Sequence, residues 1–107
     1  MTIQEFQERC YKQAVDSGWG EKEISIPEQI ALIHSEVSEA LESFRNNEVL
    51  SFYDGDGKPC GLASEYADVM IRIGHYATRL GINLETEVTK KLEYNLTRKW
   101  RHGGKRI

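Results

Sequence analysis

Two pairs of acidic residues, both within residues 30–80, constrain this chain more than any other feature. The first pair is Glu36 and Glu39, and the second is Glu65 and Asp68; each lies in an apolar segment with helical periodicity. Residues three positions apart lie on one side of a helix. At about 100° per residue, both pairs fall at the border of the apolar stripe of their helix. If the two stripes pack together, four carboxylates converge.

Such convergence requires a compensating charge. Two like charges about 4 Å apart repel by roughly 1 kcal/mol in water and about 4 kcal/mol at an effective dielectric constant of 20. Four neighbouring carboxylates therefore protonate, move apart or bind a cation, and an all-oxygen ligand set suits Mg²⁺ or Mn²⁺ better than zinc. The alternative is that each acid only flanks the core and reaches solvent, with Arg72 as an ion-pair partner. The repetition of the pattern in the same helical phase favours the metal site.

Length and composition indicate a single domain, residues 1–107, of an ordinary soluble globular protein, with 39% hydrophobic and 29% charged residues. No apolar run approaches the roughly 18 residues of a membrane span, and the N-terminus has no signal-peptide pattern. Cys10 and Cys60 form no CxxC motif, which favours a reduced environment. We therefore expect a cytoplasmic protein with no membrane partner.

The net charge of −3 conceals an asymmetry along the chain. Residues 1–97 carry nine basic and seventeen acidic residues, a net charge of −8. Residues 98–107 form a basic tail with five cations and no acid. An acidic body makes nucleic acid an unfavourable partner, whereas the tail favours contact with a smaller anion.

Capping signals and glycines predict four helices, and the predicted fold class is therefore all-α. Thr2 with Glu5 and Ser25 with Glu28 are capping boxes at the starts of the first two. The predicted helices cover about residues 3–17, 26–46, 62–80 and 84–100. Between the second and third lies one irregular loop, residues 47–61, whose Asp-Gly steps indicate a short β-ribbon. Its DxDG string lacks the remaining ligands of an EF-hand, so we interpret it as a solvated turn.

Polar residues join the apolar stripe of the fourth helix. Lys91 and Asn95 lie one turn apart within it, with Arg98 and Lys99 close by. Long cationic side chains can extend from the edge of a core to water. Beside four acids and their metal ions, the same residues could instead clamp phosphate oxygens. Trp19, between two glycines, either stacks on a ligand base or covers one end of a small core.

The paired acids, the helix count and the Lys-x-x-x-Asn sequence resemble the MazG-like all-α nucleoside triphosphate pyrophosphohydrolases. Their signature is an EExxE element followed by ExxD. Here Ser35-Glu36-Val-Ser-Glu39 corresponds to the first element and Glu65-Tyr-Ala-Asp68 to the second, with 25 residues between them. Ser35 stands where the family often has glutamate. The resemblance extends from about Trp19 to the C-terminus and implies a four-helix bundle-type MazG-like fold.

The resemblance also implies a function: Mg²⁺-dependent cleavage of a nucleoside triphosphate to the monophosphate and pyrophosphate, as in clearance of the nucleotide pool, with Mn²⁺ as a second suitable ion. Family members form homodimers or homotetramers whose active sites draw on more than one chain. By position, Glu36 or Glu39 also activates water, and the last helix binds substrate. The implied metal ligands are Glu36, Glu39, Glu65 and Asp68; the implied substrate-binding residues are Lys91, Asn95, Arg98, Lys99 and Trp19.

Three alternatives stay open at this point. A related bundle of the same fold could act on dUTP or dCTP, with Trp19 or the 47–61 loop reading the base. A ferritin-like di-iron bundle also uses core carboxylates, but it needs Glu-x-x-His pairs, which are missing here. Finally, the fold could serve as a non-catalytic helical interaction module whose basic tail binds nucleic acid through salt-sensitive phosphate contacts.

Overall fold

The computed structural model describes residues 1–18 and 23–98. Four helices and a two-stranded antiparallel ribbon make up its regular structure, so the all-α prediction is confirmed. Trp19, Lys99 and the remainder of the basic tail lie outside the described residues. The elements are α1 Ile3–Asp16, α2 Ile26–Arg45, β1 Phe52–Tyr53, β2 Pro59–Cys60, α3 Leu62–Arg79 and α4 Leu84–Thr97.

Side chains cap the helices where the sequence predicts it. The Thr2 hydroxyl accepts a hydrogen bond from the Glu5 amide at 3.0 Å, and the Ser25 hydroxyl accepts one from the Glu28 amide at 3.3 Å. Each cap satisfies an amide that has no partner within its own helix. At the far end, α4 is shorter than predicted. The backbone of Arg98 is extended, and the Thr97 hydroxyl bonds back to the carbonyl of Tyr94.

The ribbon between α2 and α3 confirms the predicted loop structure. Phe52 pairs with Cys60, and Asp54 forms the turn by accepting hydrogen bonds from the amides of Asp56 and Lys58. At the start of α3, Gly61 has a φ of 96°, and a Cβ there would lie 2.6 Å from two carbonyl oxygens of the preceding loop. Only glycine accommodates both constraints, so this residue fixes the loop against the first turn of α3.

The third helix is the centre of the fold, with α1 and α2 packed against it. Gly74 lets α1 approach closely, because a Cβ at that position would lie 2.9 Å from the sulfur of Cys10. The fourth helix packs chiefly on α1 and is tied to it by Gln7, whose side chain bonds the Ile82 carbonyl and the Leu84 amide, both at 2.8 Å. The described chain is therefore a three-helix layer with α4 attached at one side, rather than a closed bundle of four.

Little apolar surface is buried in the single chain. The buried apolar residues of the described part are Cys10, Ala40, Tyr76 and Ala77. Most of the α2 stripe, which the sequence predicts to be buried, is exposed: Val37 is 50% exposed and Phe44 71%. The radius of gyration is 16.3 Å, against about 13 Å for a compact domain of this length. The principal extents are 47 × 36 × 29 Å, so the larger radius reflects an elongated arrangement of the helices.

The membrane prediction is also consistent with the described helices. None of those within residues 1–18 and 23–98 combines the length and the apolar character that crossing a bilayer requires.

Candidate metal centre

The structure brings the four predicted acids together at the α2–α3 interface. One carboxylate oxygen from each of Glu36, Glu39, Glu65 and Asp68 lies within 4.8 Å of the other three. Glu36 and Glu65 are partly buried, whereas Glu39 and Asp68 are exposed. The predicted convergence of the carboxylates is thereby confirmed, and it follows from the i, i+3 spacing in two helices that pack against each other.

The spacing is close to that of a shared divalent ion. With ligand bonds of about 2.1 Å in octahedral geometry, ligand oxygens around Mg²⁺ lie roughly 3.0 Å apart when adjacent and roughly 4.2 Å when opposite. The 4.8 Å limit of the cluster is wider than these separations, so the carboxylates would have to move closer together to share one ion. Glu39 and Asp68 are exposed, which leaves their side chains room to do so.

Glu65 is the acid whose environment most favours a cation. Its Oε2 atom is buried and has no hydrogen-bond partner in the described part of the chain. Burial raises the pKa of this carboxyl, and the charges of Asp68, Glu39 and Glu36 raise it further, as does a hydrogen bond shared with Glu39. A buried, unpartnered carboxylate oxygen is unfavourable unless a cation or proton reaches it. The oxygen set and this orphaned acceptor both fit a hard divalent ion.

Asp68 behaves similarly but is partly compensated. Although the side chain is exposed overall, partial desolvation of its carboxyl raises the pKa, as does the charge of Glu36, whereas Lys58 and Arg72 lower it. Repulsion between two charges at 4.8 Å is between about 1 and 3.5 kcal/mol for effective dielectric constants of 80 and 20. For Glu39 and Asp68, which are both exposed, the repulsion is near the lower of these two energies. The cluster as a whole is thus short of positive charge.

The alternative partner of the acids, Arg72, is present as well. Its Nη2 atom lies 2.7 Å and its Nε atom 3.2 Å from Oε1 of Glu36, and its Nη1 donates to the hydroxyl of Tyr76 at 3.1 Å. Both sequence expectations are therefore met at once: the acids converge, and Arg72 pairs with one of them. The other three acids of the cluster form no ion pair with any described residue.

A cleft of about 260 Å³ opens beside the cluster, between α1 and α3. Glu36, Asp68 and Arg72 line it together with residues that the sequence analysis did not identify. His75 is the most notable of these, because it is buried and its Nε2 atom has no partner among the described residues. Burial lowers the pKa of His75, as do the charges of Arg79 and Arg72, so the ring is neutral at pH 7. The additional lining residues from α1 and its C-cap are Cys10, Gln13, Ala14 and Ser17.

Helical phase contains the signal that could have found His75. It lies seven residues after Asp68, close to two turns along the same side of α3. The α1 residues could not be found this way, because their position depends on how α1 packs across α3.

The predicted substrate-binding residues on α4 are not joined to the acids within one chain. Lys91 and Arg98 flank the ring of Tyr94, at 5.6 Å and 6.0 Å from its centroid. Lys91, Asn95 and Arg98 are all exposed, and none of them lines the cleft beside the cluster. Trp19 and Lys99 fall outside the described residues.

Comparison of the chain with protein-family models, curated proteins and solved structures finds no match.

Proposed function

We propose that the chain is a metal-dependent nucleoside triphosphate pyrophosphohydrolase with a MazG-type helical fold, using Mg²⁺ or Mn²⁺. The observation that carries this proposal is the convergence of four carboxylates from two helices, one of which, Glu65, has a buried Oε2 with no partner among the described residues. The sequence resemblance supplies the reaction class, and the convergence of the acids supports it. Glu36, Glu39, Glu65 and Asp68 would hold the metal.

The reaction adds water across one phosphoanhydride bond and yields a nucleoside monophosphate, pyrophosphate and a proton. A bound divalent ion supplies positive charge to phosphate oxygens and makes water more acidic. Glu39 is the better candidate for accepting the proton, because it is exposed and forms no ion pair with any described residue, whereas Glu36 is partly buried. The neutral His75 ring lines the cleft, where it can form a hydrogen bond with the substrate.

The same proposal includes a homo-oligomer, dimeric or tetrameric. The exposed apolar residues of α2 and α3 support it, because contiguous patches of this kind on monomers are usually small and large ones mark interfaces. The large apolar side chains of these two helices that are at least half exposed are Ile26, Ile30, Val37, Leu41, Phe44, Tyr66 and Met70. In such an assembly the last helix of one chain would reach the triphosphate bound at the metal site of another chain. The residues that would contact it are Lys91, Asn95 and Arg98.

A panel of ordinary, deoxy and damaged nucleoside triphosphates, assayed with Mg²⁺, with Mn²⁺ and with chelator, tests the proposal. We expect metal-dependent release of pyrophosphate rather than phosphate. A strong preference for dUTP or dCTP would assign the chain to the enzymes that remove those two nucleotides. Asp68→Asn should abolish turnover, whereas Glu42→Gln, a charge change on the exposed side of α2, should not. Equal activity in both variants, or no turnover of any nucleotide, contradicts the proposal.

A further inference from the structure

Arg72 belongs to two sites at the same time. Two of its N–H groups donate to Oε1 of Glu36 inside the carboxylate cluster, and the residue also lines the cleft between α1 and α3. Its third contact is with Tyr76, whose hydroxyl accepts from Nη1 and whose side chain is buried. A guanidinium in this position can face either the acids or the cleft with little movement of its stem.

A divalent ion and Arg72 compete for the same carboxylate. Oε1 of Glu36 accepts from both Nε and Nη2, so a metal ion held by this residue would either bind the other carboxylate oxygen, beside the guanidinium, or displace one of these hydrogen bonds. A metal ion bound by the cluster would place two positive charges beside the guanidinium, and their repulsion is not screened well in a partly buried site. Binding of the ion therefore weakens the hydrogen bonds from Arg72 to Glu36.

The cleft offers Arg72 an alternative partner once an anionic ligand is bound. Among the described residues that line it, Arg72 is the one that carries a positive charge at neutral pH, because the pKa of His75 is lowered. A planar guanidinium with several donors matches phosphate oxygens as well as it matches a carboxylate. The buried Tyr76 hydroxyl can hold Nη1 throughout, which keeps the guanidinium at the mouth of the cleft.

We propose that Arg72 is an exchangeable counter-ion, which holds Glu36 in the metal-free protein and transfers to a phosphate group of the ligand when a divalent ion binds the cluster. The proposal rests on the function proposed above and adds a substrate-binding residue to it. It also makes metal and phosphate binding interdependent: removal of Arg72 should favour the first and weaken the second.

The test is calorimetric titration of the full chain, first with Mn²⁺ alone and then with inorganic pyrophosphate at saturating Mn²⁺. In Arg72→Gln, we expect the Mn²⁺ dissociation constant to fall about tenfold and that of pyrophosphate to rise about tenfold. Arg79→Gln, which removes the same charge seven residues along α3, is the matched control and should change neither constant by more than about twofold. Arg72→Lys should shift both constants in the same directions by smaller factors, because an ammonium group forms fewer aligned hydrogen bonds.

Opposite shifts in Arg72→Gln, with the control unchanged, support the exchange. Unchanged or weaker Mn²⁺ binding overturns it, since Arg72 would then only support Glu36; unchanged pyrophosphate binding overturns the transfer to phosphate. If the glutamine variant loses its helical circular dichroism, the lysine variant decides by the same criteria. Failure of the proposed function looks different, because the wild-type chain would then bind no Mn²⁺ at all.

Discussion

The α2–α3 interface and α4 carry the two charges that the proposed reaction needs, but the chain builds them in different ways. The acids are fixed by helices that pack on each other, and their oxygens lie within 4.8 Å of one another. The cations of α4 lie on a helix without a buried residue, attached chiefly to α1. The acids are brought together within a single chain, whereas Lys91 and Arg98 are exposed at its surface.

Two features of the single chain are therefore left without a compensating partner. An acid cluster without metal is short of positive charge, and an apolar stripe without a partner stays exposed. Both deficits are removed if α4 of a second chain approaches the acids while the stripes pack together. Substitutions in the acid cluster and substitutions on α4 should therefore have effects that can be measured separately.

Glu65→Gln should reduce kcat/KM for the preferred triphosphate by about a thousandfold, since a lost metal ligand removes several kcal/mol of charge stabilisation. The metal-free variant should nevertheless melt at the same or a higher temperature than wild type, because an unfavourable buried charge is gone. Steady-state kinetics and thermal unfolding in chelator measure the two effects. A variant that is inactive only because it is unfolded would show a clear loss of melting temperature, and the prediction would then fail.

Leu41→Asp should dissociate the oligomer and weaken its association by at least about a hundredfold, because it places a charge within the apolar stripe of α2. Light scattering coupled to size exclusion gives the mass of each species. Glu42→Gln is the adjacent control and should keep the wild-type mass. If the wild-type chain is a monomer, the proposed oligomer is wrong, whereas the proposed metal site is not affected.

Lys91→Ala should raise KM about tenfold, because it removes one cation from the triphosphate. Mixing this variant with Glu65→Gln tests whether each active site combines residues from two chains. If each site in a dimer combines acids of one chain with α4 of the other, random mixing leaves about a quarter of the sites intact, as expected for a two-fold interface. No recovery of activity on mixing would show that each chain supplies its own cations.

The smallest effect concerns pH. The pKa of Glu65 is raised above its ordinary value of 4.5, so the carboxyl stabilises the fold when protonated, and this contribution is lost as pH rises through the folded-state pKa. The metal-free protein should therefore lose melting temperature as the pH rises from 4.5 through the folded-state pKa, and Mn²⁺ should remove most of this difference. Glu65→Gln should flatten the metal-free profile, and an unchanged slope would contradict the assignment.

Much of this picture could be predicted from local sequence signals. Capping boxes at Thr2 and Ser25 gave the helix starts to within a residue or two, and the spacing of the acids placed four carboxylates on one interface. These features depend on neighbours within about four positions, which periodicity captures.

The features that sequence reasoning missed depend on how distant segments meet. The cleft residues Gln13 and Ser17 come from α1 and its C-cap, and only the packing of α1 across α3 brings them to the acids. Likewise, the amphipathic stripe of α2 indicates burial but not the chain against which it is buried, so the exposure of Phe44 in one chain could not be foreseen. Periodicity identifies a face, but it does not identify the partner of that face.

The most direct test of the central claim is a crystal structure of the protein soaked with Mn²⁺, recorded at a wavelength where manganese scatters anomalously. We expect an anomalous peak among Glu36, Glu39, Glu65 and Asp68, bonded to the Glu65 oxygen that has no partner among the described residues. A map with no peak at the cluster, and with the four carboxylates turned away from one another, would contradict the account.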